Sequence, residues 1–89
     1  MVKIKSSKPI SEIKKGDKMK VNGKEYEVDA HTVMIEHSEN KEMAIDLFDS
    51  NDDTDYQLRY FDDRAEDSLQ FYELKDILYD SVELEKLEW

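Results

Sequence analysis

Histidine and serine are the residues of this sequence that could supply metal-binding or nucleophilic chemistry. His31 and His37 are the only histidines. Residues six apart in an extended strand are separated by about 20 Å, which is too far to bind one metal ion. None of the serines stands between the glycines that a nucleophile elbow requires. We therefore predict no catalytic residue and expect both histidines at the surface or at the rim of the core.

A second candidate is the acidic segment of residues 49–60, which could bind calcium. Alternating residues of this segment match the first ligand positions of a calcium-binding loop: Asp49, Asn51, Asp53 and Asp55. Thr54 occupies the position at which that loop needs glycine, and Tyr60 occupies the position of the bidentate glutamate. A solvated hairpin loop is the preferred interpretation, so we predict no metal site and no cofactor.

Adjacent carboxylates could perform general acid–base catalysis if a cleft shifted their pKa values. Three such pairs are Asp52/Asp53, Asp62/Asp63 and Glu66/Asp67. With 23 acidic residues among 89, adjacent pairs are expected by chance. A chain of this size rarely encloses a cleft, and two separate glycines cannot form a phosphate-binding loop. The sequence therefore indicates a protein that is not an enzyme.

The composition favours a folded domain in a reducing compartment. Hydrophobic residues make up 38% of the chain, charged residues 40% and aromatic residues 10%. The absence of cysteine excludes disulfides and thiolate catalysis, and it favours the cytoplasm. No apolar run is long enough to span a membrane. We expect one cytoplasmic domain over residues 1–89.

Charge is distributed unevenly along the chain. Residues 1–24, here called the lysine arm, contain eight lysines and two acidic residues, whereas residues 25–89 contain five basic and 21 acidic residues. The formal net charge is −10. We expect the lysine arm to be attracted to the acidic remainder within one fold. The alternative is that the lysine arm binds nucleic acid.

The segment Met19–Val28 carries the clearest local signal. Apolar residues alternate on both sides of Asn22-Gly23, a dipeptide that supplies the positive φ angles of a type I′ turn. A β-hairpin is therefore predicted here.

The longer stretch Ile10–Val28 combines this turn with a preceding Lys-Lys-Gly-Asp corner. In this it resembles the opening hairpin of SH3-like barrels, such as the first domain of translation elongation factor P and archaeal initiation factor 5A. The resemblance implies a small barrel. Those factors continue with a glycine-rich loop that presents a modifiable lysine, and residues 30–41 contain no glycine, so this functional lysine is not carried over.

Beyond residue 28, short apolar runs alternate with polar turns. This spacing predicts an all-β antiparallel meander of five to seven strands, which closes into an SH3-like barrel or a curled sheet. Leu74, Ile77 and Leu78 are spaced as on one helical face, which predicts a short helical turn near residues 73–79. Residues 80–89 fit either a strand with a bulge or a capped helix, and the strand is preferred.

Seven of the nine aromatic residues lie in the last 34 residues. Beside Arg59 and Arg64 they could stack on nucleic-acid bases. The acidic residues of the same stretch would repel phosphate, however. Cross-strand aromatic pairs that stabilise a thin sheet are the preferred interpretation.

The two ends of the chain carry complementary patterns. Val2–Lys5 alternates apolar and basic residues, and Val82–Glu85 alternates apolar and acidic residues. Paired side by side, Lys3 and Lys5 would face Glu83 and Glu85. We therefore expect the two terminal strands to be neighbours.

These observations point to a small acidic cytoplasmic domain that acts through contacts with another protein. Its negative charge suits a partner with a basic surface, because complementary charge accelerates association. Nucleic acid and membranes are not expected as partners, apart from the alternative role of the lysine arm. The sequence leaves the identity of the partner and the oligomeric state open.

Overall fold

Eight β-strands make up most of the regular structure in a computed structural model of the chain, which describes residues 2–51 and 54–89. The strands are β1 (Lys3–Lys5), β2 (Lys18–Val21), β3 (Lys24–Glu36), β4 (Lys41–Phe48), β5 (Asp55–Phe61), β6 (Gln70–Lys75), β7 (Leu78–Val82) and β8 (Lys86–Glu88). Two short 3-10 helices lie at Ile10–Glu12 and Ala65–Asp67. Within the described residues, no helix is long and apolar enough to cross a membrane.

All eight strands belong to one sheet, in the order β1-β8-β2-β3-β4-β5-β6-β7. Neighbouring strands are antiparallel except β1 and β8, which are parallel. The prediction of an all-β fold is confirmed for the described residues. The sheet has more strands than the five to seven predicted, it is mixed rather than purely antiparallel, and it is not closed into a barrel. The SH3-like arrangement stays a prediction.

The connection from β7 to β8 requires the sheet to curl. These strands are consecutive along the chain but lie six positions apart in the sheet, which is about 29 Å across a flat sheet. The four residue steps from Val82 to Lys86 can span at most about 14 Å. The sheet therefore bends until β7 comes close to β8, so the curled sheet is the form that the chain adopts.

The predicted β2–β3 hairpin is confirmed around Asn22-Gly23. Both residues have positive φ, 53° and 85° respectively, as a type I′ turn requires. The Asn22 side chain also binds the β7–β8 connection. Its Oδ1 accepts hydrogen bonds from the backbone N–H groups of Glu85 (2.7 Å) and Lys86 (3.2 Å), and its Nδ2 donates to the Glu83 carbonyl oxygen (2.7 Å). One turn residue thus fixes two parts of the fold.

The hydrophobic core lies on one face of the curled sheet, here called the inner face. It contains alternate residues of six strands together with Ile13: Met19, Val21, Tyr26, Val28, Ile45, Leu47, Leu58, Tyr60, Phe71 and Leu87. The Tyr56 and Phe71 rings stack with centroids 5.5 Å apart, and Tyr26 packs edge-on against Tyr56 at 4.8 Å. The interpretation of the aromatic residues as cross-strand packing is confirmed for these rings. The opposite face of β3–β7 is called the outer face.

The predicted helical turn near residues 73–79 is wrong. Lys75 pairs with Leu78, so β6 and β7 form a hairpin whose two turn residues are Asp76, with φ of 56°, and Ile77. The spacing of Leu74, Ile77 and Leu78 would indicate a helix only if the three side chains shared one buried face. Ile77 and Leu78 are instead 89% and 69% exposed.

The predicted proximity of the chain's two ends is confirmed, but the register differs. Ile4 lies opposite Leu87 and Lys5 lies opposite Glu88 in the parallel β1–β8 pair. Lys3 lies opposite Lys86, so the expected pairing of both lysines with Glu83 and Glu85 is wrong. The partly exposed Lys5–Glu88 contact, with Nζ and Oε1 3.8 Å apart, is the ion pair that this register produces.

Residues 80–89 are extended, as preferred, but they belong to two strands rather than to one bulged strand. β7 ends at Val82, and residues 83–85 carry the chain to β8. The apolar phase changes between Leu84 and Leu87 because the two strands occupy different places in the sheet. Leu87 is buried between β1 and β2, where it pairs with Val21.

Candidate functional site

The two histidines lie apart, and neither belongs to a group of side chains that could hold a metal ion within the described residues. His31 lies at the rim of the core, as expected. Its Nδ1 is 2.7 Å from the Ile13 carbonyl oxygen and its Nε2 is 2.7 Å from the Tyr60 hydroxyl. Burial raises the pKa of Tyr60 to about 12, so this hydroxyl stays protonated and can donate a hydrogen bond to Nε2. His37 is exposed, with its ring centroid 6.2 Å from that of Phe61.

The acidic segment of residues 49–60 is fixed by a lysine at its start. The Asp49 carboxylate accepts a hydrogen bond from the Asn51 N–H (2.9 Å) and lies 3.0 Å from Lys24 Nζ. The Asn51 amide, followed by Lys24, lowers the pKa of Asp49. Asp53, which the calcium hypothesis needs, lies outside the described residues, as does Asp52, its neighbour in the predicted carboxylate pair. Among residues 2–51 and 54–89, no group of three or more His, Cys, Asp or Glu side chains could hold a metal ion.

Part of the lysine arm lies beside carboxylates, and Lys3, Lys5 and Lys20 also line one groove together with Lys86 and Glu88. Four of its lysines form ion pairs: Lys5–Glu88, Lys8–Asp17, Lys18–Glu27 and Lys24–Asp49. The shortest have N–O distances of 2.6 Å, for Lys8–Asp17 and Lys18–Glu27. The attraction expected between the lysine arm and the acidic remainder is thus seen at three of these pairs, whereas Lys8–Asp17 lies within the arm.

The Asp62/Asp63 pair has structural partners. The Asp62 carboxylate accepts a hydrogen bond from the Lys41 N–H (2.8 Å), and Asp63 accepts one from Asn40 Nδ2 (3.3 Å) while pairing with Arg64 at 3.2 Å. These contacts tie the end of β5 to the β3–β4 turn. Glu66 and Asp67 lie in an exposed 3-10 helix.

An arginine packs against two tyrosines on the outer face, in what we call the arginine–tyrosine cluster (Arg59, Tyr72 and Tyr79). The guanidinium carbon of Arg59 is 4.2 Å from the Tyr72 ring centroid and 5.1 Å from that of Tyr79. The two rings are 6.4 Å apart at an interplanar angle of 78°. The three residues come from β5, β6 and β7, and the twofold periodicity of neighbouring strands places them on the same side of the sheet.

A chain of hydrogen bonds holds this cluster in place. Arg59 Nε donates to Gln57 Oε1 (2.6 Å), and Gln57 Nε2 donates to Asp46 Oδ1 (2.9 Å). The Tyr72 hydroxyl donates to Gln70 Oε1 (2.7 Å). Gln57 is buried although it is polar, and these bonds satisfy its side chain. The cluster is thus presented by strands and by fixed side chains rather than by a loop.

An acidic groove of about 250 Å³ lies beside the cluster. Three strands each contribute one carboxylate to its lining: Asp29 from β3, Asp46 from β4 and Asp55 from β5. Asp29 lies where the β3–β4 register shifts, and such a bulge re-aims a side chain. Leu74 and Tyr79 add apolar surface. The groove can therefore hold a cation that has an apolar stem.

Sequence inspection identified part of this site. It singled out Arg59 and the aromatic residues near it, for which cross-strand packing was preferred to a base-stacking face. Arg64 is separate, with its guanidinium carbon 4.6 Å from the Phe61 ring centroid. The groove carboxylates were missed, because their convergence depends on strand register and on the β3 bulge. Alternation of polar residues through Asp46 and Gln57 is the signal that could have placed them on the outer face.

Comparison with models of known protein families, with curated proteins and with solved structures gave no significant match. The geometry and charge of this chain are therefore what bear on its function.

Proposed function

We propose that this chain is a non-enzymatic, cytoplasmic protein-binding domain whose acidic groove and arginine–tyrosine cluster recognise a basic segment of a partner protein. The observation that carries the proposal is the convergence of Asp29, Asp46 and Asp55 from three neighbouring strands on one groove. Tyrosine and arginine are enriched at protein interfaces, and the cluster places both beside these carboxylates.

The chemistry of the groove suits a lysine or arginine side chain. The carboxylates would pair with its charged end, while Leu74 and Tyr79 would cover its aliphatic stem. The net charge of −10 would also attract a basic partner over longer range and accelerate its association. The absence of cysteine is the feature that supports a cytoplasmic location.

Nucleic-acid binding by the lysine arm has weaker support. Affinity for phosphates depends on cations that can release counterions, and four lysines of the arm already face carboxylates. Arg59 likewise lies beside the acidic groove, which would repel a phosphate backbone. We therefore assign the arm a role in stabilising the fold rather than in binding RNA or DNA.

The proposal is tested by affinity capture from native lysate with two charge-matched variants. Asp29→Asn with Asp55→Asn removes two groove carboxylates and leaves the Asp46–Gln57 hydrogen bond intact. Glu12→Gln with Glu39→Gln makes the same change in net charge at exposed positions that do not line the groove. Captured proteins are identified by mass spectrometry, with and without RNase.

We expect a protein that binds the wild-type chain and the control variant but is depleted roughly tenfold with the groove variant. Its binding should weaken with salt and resist RNase. Equal capture by both variants would overturn the groove as the site. Loss of all captured protein on RNase treatment would favour the nucleic-acid alternative.

A further inference from the structure

The sheet ends in two edge strands of different character, β1 and β7. β1 has only three residues and presents two lysines, Lys3 and Lys5, and short, lysine-bearing edges resist pairing with another chain. β7 has five residues and contains neither lysine nor proline. An edge of this second kind is a template for an additional strand.

The backbone of β7 has hydrogen-bonding groups that point away from β6. Lys75 and Leu78 close a two-residue turn, so the Leu78 N–H faces the Lys75 carbonyl group. Because this direction alternates along an antiparallel strand, the N–H and C=O groups of Tyr79 and Ser81 face outward. Within the described part of the chain, no second strand or loop hydrogen-bonds to them. Two donors and two acceptors are thus aligned along this edge.

Large apolar side chains at the same edge are exposed to solvent. Ile77 is 89% exposed and Leu78 is 69% exposed. Tyr79 belongs to both the arginine–tyrosine cluster and the lining of the acidic groove. A strand added to β7 would cover apolar surface and would bring its own side chains next to the groove.

The negative charge at this edge favours a basic strand over a second copy of this chain as the added strand. Residues 73–85 contain five acidic residues and one lysine, Lys75, which pairs with Asp80 at 3.5 Å. A second copy of this chain, added antiparallel about the centre of β7, would set two Asp80 carboxylates opposite each other, and like charges in that position destabilise a sheet. A basic strand would meet opposite charge instead.

We propose that β7 accepts an extended, lysine- or arginine-rich segment of a partner protein as an additional antiparallel or parallel strand. This inference rests on the proposed function, because it specifies how a basic partner reaches the acidic groove. Backbone pairing with Tyr79 and Ser81 would hold the segment in register, while its cations would face the carboxylates.

The test uses the full chain and a short acetylated and amidated peptide in which lysine and valine alternate. Binding is followed by amide chemical shifts, and hydrogen exchange reports on backbone pairing. We expect shifts in residues 78–82 and slowing of exchange at the Tyr79 and Ser81 amides by at least about tenfold at saturation. A control peptide with glutamate in place of lysine should bind more weakly than the lysine peptide. Two further peptides carry backbone N-methyl groups on alternate residues, one peptide for each edge of the strand, and these should also bind more weakly.

A matched pair of variants tests the outward N–H of Ser81. Ser81→Pro removes it, whereas Ser81→Ala keeps it, so the peptide affinity should fall roughly tenfold only for the proline variant. Unchanged shifts at Phe71 and Val82 would show that β6–β7 pairing persists. If the proline variant does not fold, the N-methylated peptides give the same comparison on the wild-type chain.

Three results would overturn this inference. The first is that chemical shifts change only at the groove and hydrogen exchange at β7 is not slowed. The second is that the N-methylated peptides bind as tightly as the unmodified peptide. The third is that no binding is seen at about 1 mM peptide. The first of these leaves the proposed function standing, because the groove would bind basic residues without strand addition. The proposed function itself fails if the capture experiment shows no dependence on Asp29 and Asp55 or if RNase removes all captured protein.

Discussion

Trp89 donates a hydrogen bond from its indole Nε1 to the Lys8 carbonyl oxygen, at 2.6 Å. The backbone of Trp89 also donates to the Lys5 carbonyl oxygen (3.1 Å) and accepts from the Ser7 N–H (2.9 Å). One residue thus holds the first part of the lysine arm against the sheet through both its backbone and its side chain.

Replacing Trp89 with phenylalanine should therefore lower the free energy of unfolding by about 1–2 kcal/mol, because the ring is largely retained but the Lys8 carbonyl loses its partner. Urea unfolding followed by circular dichroism measures this. Ile77→Ala serves as the control, since an exposed side chain should contribute within about 0.5 kcal/mol. Equal effects of the two substitutions would show that the indole hydrogen bond does not stabilise the fold.

Asn22 contributes both a turn conformation and three side-chain hydrogen bonds, and two substitutions separate these roles. Asn22→Gly keeps the left-handed backbone but removes the bonds to residues 83–86, so we expect a loss of about 1–3 kcal/mol. Asn22→Ala adds the cost of positive φ for a residue with a Cβ atom, about 1 kcal/mol more. Chemical denaturation of both variants gives the comparison. If glycine is as stable as the wild-type residue, the side chain has no role beyond the turn.

The His31–Tyr60 contact should show energetic coupling. Tyr60→Phe removes the hydroxyl that lies 2.7 Å from His31 Nε2, and His31→Ala also leaves the Ile13 carbonyl without this partner. Each substitution should destabilise the chain by about 1–3 kcal/mol, and the double variant should cost less than their sum by about 1 kcal/mol. A double-mutant cycle at pH 7 measures the difference. Additivity within about 0.3 kcal/mol would mean that the two side chains do not interact.

The carboxyl group of Asp17 should make the free energy of unfolding depend on pH. The Lys8 side chain, followed by the Lys14 N–H, lowers the pKa of Asp17 below its ordinary value of 3.8. A carboxyl group with a lower pKa in the folded state stabilises that state above about pH 4, and this contribution is lost as the pH falls through the folded pKa. Unfolding midpoints between pH 7 and pH 2 should therefore fall less steeply for Asp17→Asn than for the wild-type chain. Glu12→Gln is the control, and parallel curves for Asp17→Asn and the wild-type chain would contradict this role.

The sequence predicted a hairpin correctly where the residues of its turn strongly favour one backbone conformation. Asn22-Gly23 identified the β2–β3 hairpin because few residues adopt its backbone angles without strain. The Asp76-Ile77 turn was missed because isoleucine is not a turn residue and because the flanking leucines have helical spacing. Their exposure could not be read from the sequence, since it depends on β7 lying at the edge of the sheet.

Long-range relationships were predicted only in outline. The alternation in Val2–Lys5 indicated a terminal strand beside the other end of the chain, and β1 does pair with β8. The partner of Ile4 is nevertheless Leu87 rather than Leu84, because residues 83–85 are needed to cross from β7 to β8. The acidic groove was beyond prediction for the same reason: it depends on the register of β3, β4 and β5.

The parallel pairing of β1 with β8 also determines how the fold responds to force. If residues 2 and 89 are pulled apart, the two strands slide past each other along their length. The hydrogen bonds Lys3 N–H to Glu85, Trp89 N–H to Lys5 and Ser7 N–H to Trp89 are then loaded together in shear. An antiparallel terminal pair would be peeled open one bond at a time. This small sheet therefore has a mechanical clamp at the place where tension along the chain would act first.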